Sequence, residues 1–414
     1  MNPSRHHSPH HSAHAAIIGA GLSGRLLALA LCERGWQVSL YDRDATLDGQ
    51  SSCAYVGAGM LSPIAELEEA DPIISQLGWA SLSLWQKRLQ TLNTPVYFQQ
   101  EGTLVITHPH DQPELTHFRN TLQRKLRNTA HTLVQPIQWN LDTQAIRALE
   151  PELNTSFHHG MFLPNEGQID NRQLLNALTH QIQHYQATRQ LHWYGNYTAS
   201  NLLPSSIASP LPHSHQPIDW VFDCRGLGAK PDTPSLRGIR GEVIRVHAPN
   251  VTLNRPVRLM HPRYPLYIVP RENHHYVIGA TSIESEDTKP ITVQSALELL
   301  SAAFSVHSGF AEATILEFNT QCRPTLPNHL PQLTIHNPHG NLPGYIQLNG
   351  LYRHGFLIIP QLIDYILQGV SHDSNTTRTP FQLQSIPAEH LPLLNLINSS
   401  DNSVTSPYQE LIPL

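Results

Sequence analysis

The sequence predicts an α/β fold, a parallel nucleotide-binding sheet of the Rossmann type joined to an antiparallel β region. Three observations predict it. Residues 14–44, HAAIIGAGLSGRLLALALCERGWQVSLYDRD, read as strand, glycine turn, helix and second strand ending in an acid. A short apolar strand followed by glycines returns far downstream, in WVFDCRGLGAK at 220–230, as a further strand of the same sheet would. Alternating segments, RGIRGEVIRVHAP at 237–249 and the hairpin-like LYIVPRENHHYVIGAT at 266–281, call for antiparallel pairing.

The N-terminal unit carries the most information. Ala15 to Ile18 are small or β-branched apolar residues, suited to a strand buried on both faces. Gly19, Gly21 and Gly24 then complete G-x-G-x-x-G. The first makes the tight turn, the second lets backbone approach a pyrophosphate, and the third lets helix pack on strand. A helix from about Leu22 to Glu33 aims its free N–H groups at the phosphates. Gln37 to Tyr41 is the second strand, and Asp42 stands where an acid takes a ribose diol. The alternative is a glycine-rich turn that binds no nucleotide. This stretch alone does not separate NAD from FAD.

The 414 residues, 40% of them hydrophobic, suffice for a sizeable core and about two domains. A net charge of −6 with 14% charged residues argues against a nucleic-acid partner. Cys32, Cys53, Cys224 and Cys322 are widely spaced, which suits a reducing cytoplasm and forms no zinc motif. The 27 histidines are scattered and give no H-E-x-x-H, so no metal site is expected. The apolar run at 15–32 is interrupted by Arg25 and three glycines, and no small-x-small site follows; it is not read as an export signal. No apolar run reaches the length of a membrane span.

In chain order, residues 1–13 are a His-, Ser- and Pro-rich lead expected to be disordered. SSCAYVGAGMLSP, 51–63, is a small-residue loop whose Gly57 and Gly59 permit close approach to a flat ligand. Helices are expected at 70–93, with Leu82, Trp85, Leu89 and Leu92 on one stripe, and at 111–127; a strand region lies at 96–108. GMFLPNEGQIDNRQLLNAL, 160–178, enters a helix with Asp170 as its N-cap and Leu174, Leu175 and Leu178 buried. A further helix lies at 293–306, CRPTLPNHLP at 322–331 reads as irregular, and 345–369 is strand, glycine loop, helix. Residues 371–414 read as a polar surface tail. The resulting division gives 14–68, 150–236 and 320–370 to the nucleotide domain, and 69–149 and 237–319 to the second.

Two arginines stand out by context. Arg323 lies in a proline-rich segment and Arg353 in a glycine-flanked loop before an apolar helix. A fixed guanidinium suits a planar carboxylate of a substrate; a structural ion pair is the alternative for each. Tyr267 and Tyr352 could supply hydroxyls or be ordinary core tyrosines. No Ser-His-Asp arrangement or paired carboxylates stand out, which is compatible with a cofactor carrying the chemistry.

Taken together, IIGAGLSGRLLALAL, AGMLSPIAELEE, FLPNEGQIDNRQLLNAL, RGIRGEVIRV, RYPLYIVPRENHHYVIGATSIES, CRPTLPNHLP and LYRHGFLIIP fall in one order along residues 14–370. In this the chain resembles the D-amino-acid oxidase family of FAD-dependent oxidoreductases, and within it the glycine oxidases of the thiamine-biosynthetic type. The resemblance implies an FAD-binding domain with a discontinuous substrate domain. It implies carboxylate binding by Arg323 and Arg353, and a substrate-pocket role for Tyr267. It implies FAD contacts at Gly19, Gly21, Leu22, Ser23, Gly24, Asp42 and Arg43, at Cys53, Ala54, Ala58, Gly59 and Met60, at Gly226, and along Leu351, Tyr352, Arg353, His354, Gly355, Phe356 and Leu357. Ser282 and His354 depart from residues that relatives carry, so pocket size and flavin hydrogen bonding are expected to differ. Cys322 lies loosely where cousins attach flavin covalently; a small buried residue is the plainer reading.

The activity implied is oxidative deamination of glycine with O2 as acceptor, giving H2O2 and an imine or glyoxylate that feeds thiazole synthesis. Hand-over to a thiazole synthase and a homo-oligomer come with the resemblance. Rivals are an oxidase or dehydrogenase of sarcosine, proline or a D-amino acid, a tRNA-modifying flavoprotein, and a flavin-binding protein without turnover.

Overall fold

The computed structural model describes residues 12–127, 136–199, 217–263, 265–340, 342–370, 379–384 and 386–397. Most of the N-terminal lead and the end of the C-terminal tail lie outside the described residues.

The first unit forms as its pattern requires. Strand β1 (His14–Ile18), helix α1 (Leu22–Glu33) and strand β2 (Gln37–Tyr41) follow one another, and β1 pairs with β2 in parallel. Helix α1 is apolar nearly all round and is buried through Cys32. Its Arg25 is buried too: Nε donates to Ala20 O at 2.7 Å and Nη2 to Leu47 O at 3.1 Å, tying the glycine turn to the loop after β2. Burial lowers that guanidinium to about 10.

Short helix α2 (Cys53–Val56) and strand β3 (Met60–Leu61) precede helix α3 (Pro72–Gln90), which Asp71 caps by accepting from Ile73 N. Strands β4 (Phe98–Gln99) and β5 (Thr103–Thr107), helix α4 (Gln112–Leu126), strand β6 (Gln138–Leu141), helix α5 (Thr143–Leu149) and strands β7 (His159–Leu163) and β8 (Gly167–Ile169) follow. Helix α6 (Asn171–Ala187) is capped by Asp170, which accepts from Arg172 N and Gln173 N. The remaining elements are β9 (Leu191–Tyr194), β10 (Trp220–Asp223), β11 (Arg237–His247), β12 (Val257–Met260), β13 (Leu266–Pro270), β14 (His275–Gly279), α7 (Val293–Val306), β15 (Thr314–Thr325), β16 (Gln332–His336), β17 (Gly344–Asn349), α8 (Gly355–Gly369) and β18 (Leu394–Ile397).

Two large sheets result. The first runs β18-β16-β17-β10-β1-β2-β9, parallel from β17 through β9, so WVFD of β10 does join β1. The second runs β15-β11-β14-β13-β12-β5-β7-β6 and is antiparallel except between β12 and β5. A small sheet, β3-β8-β4, lies between their segments in the chain.

Three expectations are corrected. Helix α3, expected in the second domain, packs Ile74, Leu77 and Trp85 into the core of the first sheet with α8. Apolar periodicity shows that a helix has a buried face but not which sheet receives it. Residues 322–325, expected to be irregular, are the end of the long strand β15, where Pro324 is accommodated on the sheet edge. The tail, expected to be polar and superficial, places Phe381, Ile386, Leu393 and Leu394 in the core and adds β18 beside β16.

Candidate active site

The glycine turn between β1 and α1 is shaped by what its residues lack. Gly19 has φ +101°, and a β-carbon there would overlap the backbone of Cys224. A β-carbon at Gly24 would collide with Gly19 O, so the turn and helix touch. Around Gly21 there is open space. Gly21 is the N-cap of α1 with no capping side chain, and no acid sits in the first turn. The helix therefore presents uncapped N–H groups, which a pyrophosphate fits. Asp42 shapes the turn from β2: its carboxylate accepts from Ala20 N and, at 2.9 Å, from Asp44 N. Arg43, beside it, is largely exposed.

A second uncapped helix start lies at α8, whose N-cap His354 makes no capping bond and whose first turn holds no acid. The loop from Leu351 to Leu357 is locked to β15 because Tyr352, at φ +47°, donates its N–H to Pro324 O at 2.8 Å. Asn349 Nδ2 donates to Gly226 O at 3.0 Å, joining the end of β17 to the turn after β10. Helix α2 approaches the same place: Cys53 Sγ donates to Cys322 O at 3.0 Å, and Gly57 lies against the Phe356 ring. Gly59, at φ +63°, packs on Ile169 O, and Arg271 Nη2 donates to Ala58 O at 2.5 Å. Met60 is held by pairing with Gln168. The segments expected to contact the cofactor are thus tied to one another by contacts to backbone, Gly19 to Cys224, Gly226 to Asn349, Pro324 to Tyr352 and Cys322 to Cys53, and two uncapped helix starts lie among them. The cradle suits an extended, anionic dinucleotide carrying a flat ring.

Arg323 lies on the sheet face shared by Ile239, Gly241 and Val243, since residues paired across antiparallel strands share a side. Its guanidinium rests over Gly241, where any side chain would overlap it. Nη2 donates to Thr281 O at 3.1 Å, whereas Nη1 is buried without a partner. Among the described residues no carboxylate lies within ion-pair distance of it. Burial lowers its pKa, yet a guanidinium keeps its charge at neutral pH. A buried, charged and partly unpaired fork is a site for an anion.

Arg353 is different. Its Nε donates to Glu66 Oε2 at 2.8 Å and its Nη1 pairs with Glu69 Oε2 at 2.7 Å. The structural ion pair, open as an alternative in the sequence, is what forms. Arg353 is thus held by two carboxylates of the chain, where Arg323, among the described residues, is held by none. Glu66 was not singled out by the sequence. It lies on a single 3₁₀ turn, Ala65–Glu68, in AGMLSPIAELEE, and its acid-rich pattern reads as solvated surface.

Tyr267 faces the same side as Val269, toward Val56, Met60 and Ala58. Arg258 Nη1 lies 3.5 Å from its hydroxyl, and Arg258 also pairs with Glu68. Burial pushes the phenol well above its ordinary range, so it is a neutral hydroxyl. Tyr352 Oη lies 3.3 Å from Ser282 Oγ. Arg323 is thus one residue from the strand position that Tyr352 N–H holds, Tyr352 touches Ser282, and Tyr267 packs beside Val56 and Met60. Cys322 is on the opposite sheet face from Arg323, with Sγ against the carbonyls of Ser285 and Asp287 at 3.7 and 3.8 Å.

Comparison with known proteins gives likenesses over most of the chain. The family model described as DAO, FAD dependent oxidoreductase, matches residues 14–363. A Rhizobium etli protein bearing the name thiamine biosynthesis oxidoreductase ThiO is 36% identical over 346 residues, spanning 84% of this chain and 93% of that protein. A bifunctional protein ThiO/ThiG of a Nostoc species is 26% identical over 370 residues; the match spans 83% of this chain and 50% of that longer protein. The crystal structure of glycine oxidase from Geobacillus kaustophilus superposes with a TM-score of 0.69 at 19% identity, covering 90% of this chain and 98% of that one. No helix among the described residues is long and apolar enough to cross a membrane.

Proposed function

The chain belongs to the DAO family of FAD-dependent oxidoreductases, and from that premise we propose that it oxidises the carbon–nitrogen bond of a small amino acid, glycine first. The observation that carries this reading is Arg323: a buried guanidinium with Nη1 unpaired and, among the described residues, without a carboxylate of its own. An amino-acid carboxylate completes its hydrogen bonds.

Bound FAD supplies the two-electron acceptor for hydride from the α-carbon, with dioxygen as terminal acceptor and hydrogen peroxide as product. The chain's own residues bind and orient. The uncapped start of α1 would hold the pyrophosphate, and Asp42, at the end of β2, would take the ribose diol. Arg323 fixes the substrate carboxylate, which leaves the α-carbon directed into the cleft. Tyr267 offers a neutral hydroxyl on the wall, and Tyr352 with Ser282 narrows the end. No side chain is needed as a base when the amine arrives neutral. The imine product hydrolyses to glyoxylate and ammonia or passes to a thiazole synthase. The likeness to ThiO and to a bifunctional ThiO/ThiG supports the latter route.

The test is an anaerobic absorbance spectrum of the purified protein before and after glycine. Bleaching of the flavin bands supports the reading. Bleaching by sarcosine or a D-amino acid but not glycine changes the substrate, and no bleaching by any amine overturns the activity.

A further inference from the structure

Arg323 and Arg353 lie within electrostatic reach of each other and of Glu66. Two free guanidinium groups at one end of a cleft would suit a substrate with two carboxylates. These two are not equivalent. Arg353 is taken up by Glu66 at 2.8 Å and Glu69 at 2.7 Å, and His354 Nδ1 lies 3.0 Å from the same Glu66 oxygen. Burial alone would raise the Glu66 carboxyl, but Arg353 and His354 outweigh it and hold it well below the usual carboxylate range. Glu66 is therefore ionised at neutral pH. Arg323, in contrast, keeps Nη1 unpaired.

The turn that carries Glu66 is held on several sides. Glu166 Oε1 accepts from Ile64 N at 3.0 Å and Ala65 N at 2.7 Å, and Arg258 pairs with Glu68. Lys125 Nζ donates to Ala70 O at 2.8 Å. Glu66 is thus a fixed negative charge rather than a side chain free to swing away.

Resting on the amino-acid oxidase reading above, we infer that Glu66 is a specificity-determining residue: together with Glu69 it occupies Arg353, so the site takes amino acids with one carboxylate and rejects those with a second. A monocarboxylate satisfies Arg323 and needs no second cation. A second carboxylate meets ionised Glu66 with no free guanidinium to offset it, and like charges at close range in a partly buried site repel.

The experiment titrates the FAD-loaded enzyme with glycolate and with malonate, following the flavin absorbance, and compares oxidation of glycine with that of iminodiacetate. Wild type is expected to bind malonate at least tenfold more weakly than glycolate. Glu66→Gln is expected to narrow that ratio at least fivefold and to raise iminodiacetate turnover relative to glycine. Glu69→Gln, at an exposed position, is expected to narrow it in the same direction and decides the matter if Glu66→Gln fails to fold. Equal binding of the two ligands by wild type, or a ratio unmoved in both variants, overturns the inference. Arg323→Lys separates the two levels. If it leaves glycolate affinity unchanged, the carboxylate reading itself fails. If it weakens glycolate while Glu66→Gln and Glu69→Gln leave the ratio unmoved, only the role of Glu66 fails.

Discussion

The guanidinium of Arg323 occupies the space where Gly241 has no side chain. The two residues lie on adjacent strands, β15 and β11, and face the same side of the sheet. Glycine in a strand interior weakens it, and here the bare position is what lets an arginine lie flat against the sheet. Gly241→Ala is expected to displace Arg323 and raise KM for glycine at least tenfold, about 1.4 kcal/mol, with kcat changed less. Steady-state kinetics on the FAD-loaded variant check this, and an unchanged KM would show that Arg323 does not hold the carboxylate there.

Removing the guanidinium tests the same contact from the other side. Arg323→Ala is expected to cost about 2–4 kcal/mol in kcat/KM with flavin still bound. Arg323→Lys keeps a charge but loses the fork, so an intermediate loss is expected. Flavin content measured beside the kinetics separates lost clamping from lost cofactor.

How much of this was legible in the sequence depended on distance along the chain. The glycine turn, α1 and Asp42 are local, and their chemistry is written within thirty residues or so. The Asp170 cap and the β13–β14 hairpin are local as well, and formed as expected. Arg353 looked like Arg323 because both lie in uncharged neighbourhoods. What distinguishes them is Glu66, 287 residues from Arg353 in the chain, and Gly241 beneath Arg323. Neither partnership has a sequence period. The signal available for Glu66 was an acidic turn placed directly after the glycine loop, which composition alone reads as solvated surface.

Glu166 gives a pH prediction. It is fully buried, and Oε1 accepts two backbone N–H groups. Burial pushes its carboxyl up to about 7. An ordinary glutamate in the unfolded chain titrates near 4.3, so the folded state holds the proton more tightly. Its contribution is then intact at acid pH and is lost as pH rises through about 7. Glu166→Gln keeps an oxygen for the two N–H groups and cannot ionise. Relative to wild type, its Tm is expected to improve from pH 5 to about pH 7 and to level off above it, equivalent to about 2–3 kcal/mol in all. A difference that does not vary with pH would place the Glu166 carboxyl in its normal range.

Cys322 tests the attachment of the flavin. Its Sγ points to the face away from Arg323, and burial raises its pKa, so it is a protonated thiol set against the carbonyls of Ser285 and Asp287. Acid denaturation is expected to release all flavin into the supernatant, and Cys322→Ser to leave flavin content unchanged. Yellow colour retained in the pellet would overturn this assignment.

The tail makes the last prediction. Phe381 is 6% exposed and packs so closely on Gly369 that a β-carbon there would overlap its ring. Gly369 ends α8, the helix whose start faces the cleft. Gln382 N–H also donates to Gly369 O at 2.9 Å, so the segment is clipped to the helix end by backbone as well as ring. Downstream, β18 pairs in parallel with β16 at the sheet edge. Phe381→Ala removes a buried ring and leaves a cavity, a loss of about 3–5 kcal/mol for an aromatic in a core. Gly369→Ala is expected to destabilise as well, because the β-carbon and the ring compete for one space. Urea unfolding of both variants checks the pair. Stability lost in neither would return the tail to the superficial role its composition suggests, whereas loss in both makes it part of the first sheet's core.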